Sequence, residues 1–262
     1  YNVQTKADSY YWRGESYYRL GRYDNASRDI RNYLEFTRDK NTDMYGLAHY
    51  TLGYISFKNK DYTAAENWFN RYVNTAKDNN TAVMADAYNR IGDCEFYARR
   101  FDSAQQNYSR AVQIDPSQGD YSLYQEAFVL GIQKDYIGKI HVLNKLIDQY
   151  PSSQYQDDAL YERGRAYVML EDQTRAINSF RELLNKFPEC AIARKGANEI
   201  GLLYYQNDNY NEAIAAYKHV ISAYPGSDEA RLAQRDLRSI YIDLNKVDDY
   251  AEFAASIPGG AS

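Results

Sequence analysis

The residues of this sequence that could carry out acid–base or metal chemistry are few and scattered. Catalysis and metal binding need several such side chains at short, fixed spacings. The candidates are His49, His141, His219, Cys94, Cys190 and the acidic pairs Asp157–Asp158 and Asp248–Asp249. The cysteines form no CxxC or Cys/His pair, and we expect both to be small buried apolar residues rather than a disulfide or a metal site. The histidines occupy unrelated positions.

Each acidic pair lies where a helix is expected to begin. Adjacent residues on a helix point about 100° apart, so a pair does not converge on one ligand. Negative charge at this end is favourable to the helix dipole, and we predict capping roles. The signatures of phosphate loops, zinc proteases, nucleophile elbows and calcium loops do not occur in the sequence. We therefore predict no enzyme activity, no cofactor and no metal site.

The elements that must position any functional side chain recur along the chain every 35 to 39 residues. Each copy contains a small residue at a matching position, and the six residues are Gly14, Gly53, Gly92, Ala127, Gly164 and Gly201. Twelve residues later come Ala26, Ala65, Ala104, Lys139, Ala176 and Ala213. Four residues further on come Ile30, Phe69, Tyr108, Leu143, Phe180 and Tyr217. These spacings predict pairs of helices that approach each other closely at the small residues.

This pattern resembles the tetratricopeptide repeat, whose signature is W-x2-L-G-x2-Y, then A-x3-F, then a proline, on a period of 34 residues. The prolines that end the copies are Pro116, Pro151, Pro188 and Pro225. The resemblance covers nearly the whole chain. It implies an all-α fold, a right-handed superhelix (α-solenoid) of about six helix-turn-helix units followed by a C-terminal capping helical segment.

We expect the repeats to span 7–40, 46–79, 85–117, 120–152, 157–189 and 194–226, with the fourth irregular. Residues 228–257 are expected to form capping helices or part of a seventh repeat. An aromatic residue in the turn of most repeats should fill the bend between the two helices. These residues are Tyr23, Tyr62, Phe101, Tyr136 and Tyr210, and Gln173 stands at this place in the fifth copy.

Composition narrows the classes of partner. Of the 262 residues 44% are apolar, 29 are tyrosines, and the net charge is -5. An acidic chain lacks the basic stripe that nucleic-acid binding needs, so we predict no nucleic-acid partner. No apolar run approaches the roughly 18 residues required to span a bilayer. The sequence begins at Tyr1 without a methionine, and we expect a targeting segment or further repeats in the parent protein.

The resemblance also implies a concave groove lined by the first helix of each pair. Carried over position by position, its residues are Tyr11, Glu15, Tyr18, Tyr50, Tyr54, Phe57, Asn89, Asp93, Phe96, Tyr124, Phe128, Tyr161, Arg165, Asn198 and Tyr205. Such a groove suits a peptide with apolar and basic side chains. One branch of the family grips a C-terminal carboxylate, but here only Asn89 and Arg165 resemble its residues. In an alternative interpretation the tyrosines only pack between repeats.

We therefore predict a noncatalytic scaffold that binds a protein or peptide partner. The alternative is a carbohydrate-binding or enzyme-associated module that uses the tyrosines as platforms, and self-association through the solenoid ends is compatible with either. The joints "YPSSQYQDDALYERG" and "YPGSDEARLAQRDL" resemble those of periplasmic bacterial members of the family. This likeness implies a periplasmic or outer-membrane-associated protein with a role in cell-envelope assembly; similar joints also occur in cytoplasmic proteins.

Overall fold

The computed structural model describes residues 2–76 and 80–258. Within these ranges the chain is built from α-helices and one short 3₁₀ turn (Pro116–Gln118), without a strand, which confirms the all-α prediction. The helices are α1 (Val3–Arg19), α2 (Tyr23–Phe36), α3 (Asp43–Lys58), α4 (Tyr62–Thr75), α5 (Thr81–Tyr97), α6 (Phe101–Ile114), α7 (Gly119–Ile132), α8 (Tyr136–Gln149), α9 (Gln156–Met169), α10 (Gln173–Lys186), α11 (Ala193–Gln206), α12 (Tyr210–Ala223), α13 (Asp228–Asp243) and α14 (Val247–Ala255).

The helices fall into two compact units. The first unit ends at Gln133 and contains α1 to α7, and the second begins at Lys134 and contains α8 to α14. Within each unit every helix packs against the next one along the chain, which is the arrangement of an α-solenoid. Residues 77–79, at the end of the second expected repeat, lie outside the described residues. No helix in the described ranges is both long enough and apolar enough to cross a membrane.

In five of the helix pairs a glycine of the first helix makes room for a large buried side chain of the second helix. A methyl group at Gly53 would lie 2.8 Å from the Phe69 ring, and one at Gly201 would lie 2.7 Å from the Tyr217 ring. Gly14, Gly92 and Gly164 face Ile30, Tyr108 and Phe180 in the same way. The recurring small residue and the large residue sixteen positions later are therefore direct packing partners.

The aromatic residue expected in each turn is the first residue of the second helix. In four helix pairs its ring packs on an aromatic side chain near the end of the first helix. The ring centroids of Phe57 and Tyr62 are 5.3 Å apart in a T-shaped contact, and those of Phe96 and Phe101 are 5.7 Å apart. Tyr18–Tyr23 and Tyr205–Tyr210 repeat this contact. These rings close the bend of the helix pair.

The acidic pairs occupy the first turns of α9 and α14, as predicted. Of the two free cysteines, Cys94 is buried, and burial raises the pKa of its thiol to about 12. Cys190 is only half-buried, in contrast to the prediction, because it lies in the loop before α11. The two acidic pairs, in turn, are explained by their positions at the starts of α9 and α14.

Two residues after the end of each first helix lies a residue with left-handed backbone, with φ between 56° and 75°. This conformation lets the next backbone N–H reach back to a free carbonyl of the last turn. The Asp61 N–H, for example, donates to the Ser56 carbonyl at 2.9 Å. The residues concerned are Gly21, Lys60, Arg99, Lys134, Glu171, Asp208 and Asn245.

Glu171→Gly is expected to stabilise the second unit by about 0.5–1 kcal/mol, because a side chain at positive φ is strained and glycine is not. Glu171 is exposed with a φ of 59°. The matched control is Gly21→Ala, where φ is 75° and no atom lies within 4 Å of the added methyl group, so that only backbone strain changes. We expect Gly21→Ala to lower the midpoint of urea denaturation. A lower midpoint for Glu171→Gly would contradict the argument.

Candidate functional site

Five of the expected groove residues line one pocket between α1 and α3. The pocket has a volume of about 460 Å³. Its expected residues are Tyr11, Glu15, Tyr18, Tyr50 and Tyr54, and Trp12, Arg19, Leu47 and Thr51 complete the lining. The helical spacing explains the convergence, since residues three and four positions apart share one face of a helix. The same spacing places Tyr50, Tyr54 and Phe57 along one face of α3.

The pocket contains one half-buried carboxylate, that of Glu15. The Thr51 hydroxyl donates a hydrogen bond to Glu15 Oε1 at 2.5 Å. Burial raises the pKa of Glu15, and the bond from Thr51 opposes the rise. The exposed Arg19 lies one helical turn further on. Among the described residues, no lysine or arginine forms an ion pair with Glu15.

The two tyrosines of α3 are held in place by Asp86 of α5. Asp86 Oδ2 accepts a hydrogen bond from the Tyr50 hydroxyl at 2.6 Å and a second one from the Tyr54 hydroxyl. The rings of Tyr50 and Tyr54 meet each other in a T-shaped contact with centroids 5.0 Å apart. Burial and the charge of Asp86 both raise the pKa of each phenol, so both remain neutral. The α3 wall of the pocket is therefore preorganised.

Asp93 anchors a second network below the groove. Its carboxylate accepts hydrogen bonds from the hydroxyls of Tyr108 at 2.5 Å and Tyr121 at 3.0 Å. Arg90 Nη1 lies 2.9 Å from Asp93 Oδ2, and Arg90 Nε lies 3.9 Å from Asp86 Oδ1. Asp86, Arg90 and Asp93 thus form a chain of alternating charges along α5. Asp93 is 7% exposed, so its side chain is committed to the protein interior.

The Arg90 guanidinium lies between two rings. Its carbon is 5.7 Å from the centroid of Phe57 and 5.0 Å from that of Tyr121. Both contacts are within the range of cation–π attraction. Asn89 of the same helix is buried and lies 2.8 Å from the Ser122 hydroxyl. Two of the expected groove residues, Asn89 and Asp93, therefore join α5 to its neighbours.

The remaining groove residues of the first unit lie on α5 and α7. Phe128 is 45% exposed, and its ring centroid is 6.1 Å from that of the half-buried Phe96. Tyr124 is half-buried on α7. An apolar surface is thus available on α7.

The second unit holds the other four expected residues. Arg165 Nη1 lies 3.3 Å from Glu199 Oε1, and the Tyr161 ring packs 5.7 Å from that of Phe180. Tyr205 is half-buried against Tyr210. The Asn198 Oδ1 atom is buried and has no hydrogen-bond partner within the described part of the chain. Here only Arg165 carries charge, and it is already paired.

Sequence reasoning missed Trp12, Thr51 and Arg90, which occupy one shared position two residues before the glycine of each first helix. The residue after a glycine contacts this position in the next repeat. Glu15 meets Thr51 in this way, and Arg165 meets Glu199. For Arg90 the sequence did contain a signal, because the spacing of Asp86, Arg90 and Asp93 places three charges on one face of α5.

Comparison with protein families finds matches to two models, both described as tetratricopeptide repeat. One matches residues 27–81 and 161–228, and the other matches residues 7–40 and 85–118. Together the matches cover more than half of the chain. A comparison with curated protein sequences finds no significant match.

Solved structures with a similar fold include several helical repeat proteins. The C-terminal part of a TPR repeat-containing protein from Cytophaga hutchinsonii is 17% identical with a TM-score of 0.70, and the match covers 96% of each chain. YrrB, described as a TPR protein with an unusual peptide-binding site, is 17% identical with a TM-score of 0.58 over 70% of this chain and 88% of its own. MamA from Desulfovibrio magneticus is 15% identical with a TM-score of 0.56 over 70% of this chain and 97% of its own. At these identities the likeness concerns the fold alone.

Proposed function

The chain belongs to the tetratricopeptide repeat family, and on this premise we propose that it is a noncatalytic scaffold that binds a peptide or protein segment against the first helices of its first unit. The observation that carries the proposal is the pocket between α1 and α3, an opening of about 460 Å³ lined mainly by aromatic side chains. The peptide-binding site named for YrrB, which has a similar fold, supports this choice of ligand class.

Rigid aromatic residues are suited to such a role. Tyrosine and tryptophan offer a large contact area and lose little conformational entropy on binding. The hydrogen bonds from Tyr50 and Tyr54 to Asp86 fix two of the rings before a ligand arrives. A partner therefore does not have to supply the free energy that ordering these side chains would cost.

The expected groove residues have two different roles in this scaffold. Tyr18, Tyr54 and Phe128, together with Trp12, offer ring surface to a ligand, since none of them is fully buried. Asn89 and Asp93 position α5 and α7 and do not touch the ligand. The division into six repeats and a capping segment is part of this proposal, supported by the regular alternation of the helices.

We also propose that the scaffold acts in a bacterial cell envelope, in the periplasm or at the outer membrane. The two proline joints support this location through their likeness to periplasmic members of the family. Fractionation of cells that express the parent protein tests the location, and recovery in the cytoplasm alone would contradict it. Self-association through the helices at the two ends of the chain is tested by light scattering.

The binding role is tested by selecting peptides from a random display library and measuring their affinity for variants of the whole chain. Trp12 is 59% exposed, so Trp12→Ala should leave the fold intact. It is expected to weaken binding by about 1–3 kcal/mol, the usual loss for an aromatic anchor.

The matched control is Tyr97→Ala. Tyr97 is 57% exposed and stacks on Tyr62 outside the pocket, with ring centroids 4.1 Å apart. Its removal should not change peptide affinity. The proposal fails if no peptide is selected, or if the selected peptides bind both variants as tightly as they bind the unaltered chain.

A further inference from the structure

The Glu15 carboxylate is the least compensated charge in the pocket between α1 and α3. It is half-buried among aromatic rings, and among the residues that the structure describes its one hydrogen-bond donor is the neutral Thr51 hydroxyl. A carboxylate removed from water is costly unless a cation or several donors replace the lost hydration. Burial raises the pKa of Glu15, which is the sign of this incomplete compensation.

We propose that this pocket binds the cationic side chain of a lysine or arginine in the bound segment, with Glu15 as the counter-ion and the surrounding rings as a cation–π cage. The inference rests on the proposed function and adds the chemistry of the ligand at one subsite.

The rings stand on both walls of the pocket. Tyr11, Trp12 and Tyr18 come from α1, and Tyr50 and Tyr54 come from α3. The face of an aromatic ring attracts a cation within about 6 Å of its centroid, and the attraction grows when the site is shielded from water. The hydroxyls of Tyr50 and Tyr54 donate hydrogen bonds to the Asp86 carboxylate, and this increases the electron density of both rings.

The charges around the pocket also favour a cation. Glu15 lies in the pocket, and Asp86 lies directly behind its α3 wall, bonded to both tyrosines. The nearest arginine behind that wall, Arg90, is already paired with Asp93 at 2.9 Å. Arg19 also lines the pocket and its charge lowers the pKa of Glu15, but Arg19 is exposed, so water screens its charge.

Other ligand classes fit the pocket less well. An anionic group would meet Glu15 and Asp86 at short range in a poorly hydrated site, which is repulsive. A neutral apolar side chain would cover Glu15 without supplying a donor, and would raise the cost of its burial. A lysine or arginine supplies both the missing charge and the hydrogen-bond donors, and its alkyl stem covers the rings.

The test uses the whole chain and two probes. The first probe is n-butylguanidinium chloride, which mimics an arginine side chain, titrated while the fluorescence of the two tryptophans, Trp12 and Trp68, is followed. The second is the most enriched peptide of the display selection, compared with versions in which each arginine is replaced by citrulline and each lysine by norleucine. The variants are Glu15→Gln and, as a matched control, Glu35→Gln on the exposed face of α2.

We expect saturable binding of n-butylguanidinium that Glu15→Gln weakens by about tenfold and Glu35→Gln leaves unchanged. One citrulline or norleucine replacement should weaken the peptide by a similar factor in the unaltered chain and by much less in Glu15→Gln. Trp12 lines the pocket and Trp68 does not, so a fluorescence change that Trp12→Ala abolishes comes from the pocket itself.

Failure of this inference can be distinguished from failure of the proposed function. Peptides that depend on Trp12 but ignore both the neutral replacements and Glu15→Gln would overturn the cation subsite and leave peptide binding in place. Glu15-dependent binding of n-butylguanidinium without any selected peptide would support the subsite and overturn the scaffold role. The absence of binding by either probe would overturn both.

Discussion

Asp93→Ala is expected to lower the free energy of unfolding of the first unit by about 3–5 kcal/mol, the loss that follows when one partner of a buried ion pair is removed. The variant removes the carboxylate that accepts hydrogen bonds from the hydroxyls of Tyr108 and Tyr121. It also leaves the positive charge of Arg90 without its closest partner, at 2.9 Å in the unaltered chain. The buried Tyr108 hydroxyl and the half-buried Arg90 then lose the interactions that offset their desolvation.

The loss should be confined to the helices that the network joins. Repeat proteins unfold in parts, because each repeat contacts only its neighbours. Hydrogen exchange should therefore show reduced protection in α5, α6 and α7 and little change in the second unit. Asp24→Ala is the control, since Asp24 is exposed in the first turn of α2 and should cost less than about 1 kcal/mol.

Two further variants separate charge from packing. Asp93→Asn keeps the shape and one acceptor oxygen but removes the charge, so we expect an intermediate loss. Combining it with Arg90→Met removes both charges, and the double variant should be more stable than the sum of the single losses predicts. Strict additivity would show that Arg90 and Asp93 contribute independently and would contradict the network.

The sequence predicted the helix pairs because their packing repeats. In every copy a small residue is followed sixteen positions later by a large one, as Gly53 is by Phe69 and Gly201 is by Tyr217. An alignment of the chain on itself therefore reveals these pairs. The spacing repeats for a local reason, since the two helices of each pair must pack around one large side chain whatever the sequence of the neighbouring repeats. This part of the fold follows from residue type and spacing.

The polar network of α5 could not be found in this way because it occurs once. The combination of Asp86, Arg90 and Asp93 occurs in no other first helix, because only α5 has an arginine two residues before its small residue. Their arrangement depends on Tyr50, Tyr54 and Tyr121, which reach them from α3 and α7. An alignment of repeats emphasises what the copies share, whereas a binding site depends on what differs between them. Trp12 and Thr51 were missed for the same reason.

Gly164→Val is expected to lower the free energy of unfolding of the second unit by about 3 kcal/mol, at the upper end of the usual cost of overpacking. A Cβ atom at Gly164 would lie 2.5 Å from Cε1 of Phe180. The Phe180 ring is fully buried and packs on Tyr161, with ring centroids 5.7 Å apart, so it cannot move aside without displacing its neighbours. Valine adds two methyl groups beyond that atom.

Helix propensity opposes the clash at Gly164, so the sign of the change in the free energy of unfolding shows which of the two is larger. Replacing a helical glycine by alanine normally stabilises a helix by about 1 kcal/mol, so Gly164→Ala should lose less than Gly164→Val. A destabilised Gly164→Ala would show that the clash outweighs the gain in propensity.

The clash is tested directly by shortening its partner. Phe180→Leu alone should cost about 1–2 kcal/mol of buried surface and packing. If the glycine is required only to accommodate the ring, Gly164→Val with Phe180→Leu should be more stable than the two single losses predict. Urea denaturation of the four chains measures the coupling. Additive losses would mean that Gly164 acts through the backbone of α9, and the pairing of small and large residues would then not explain the repeat.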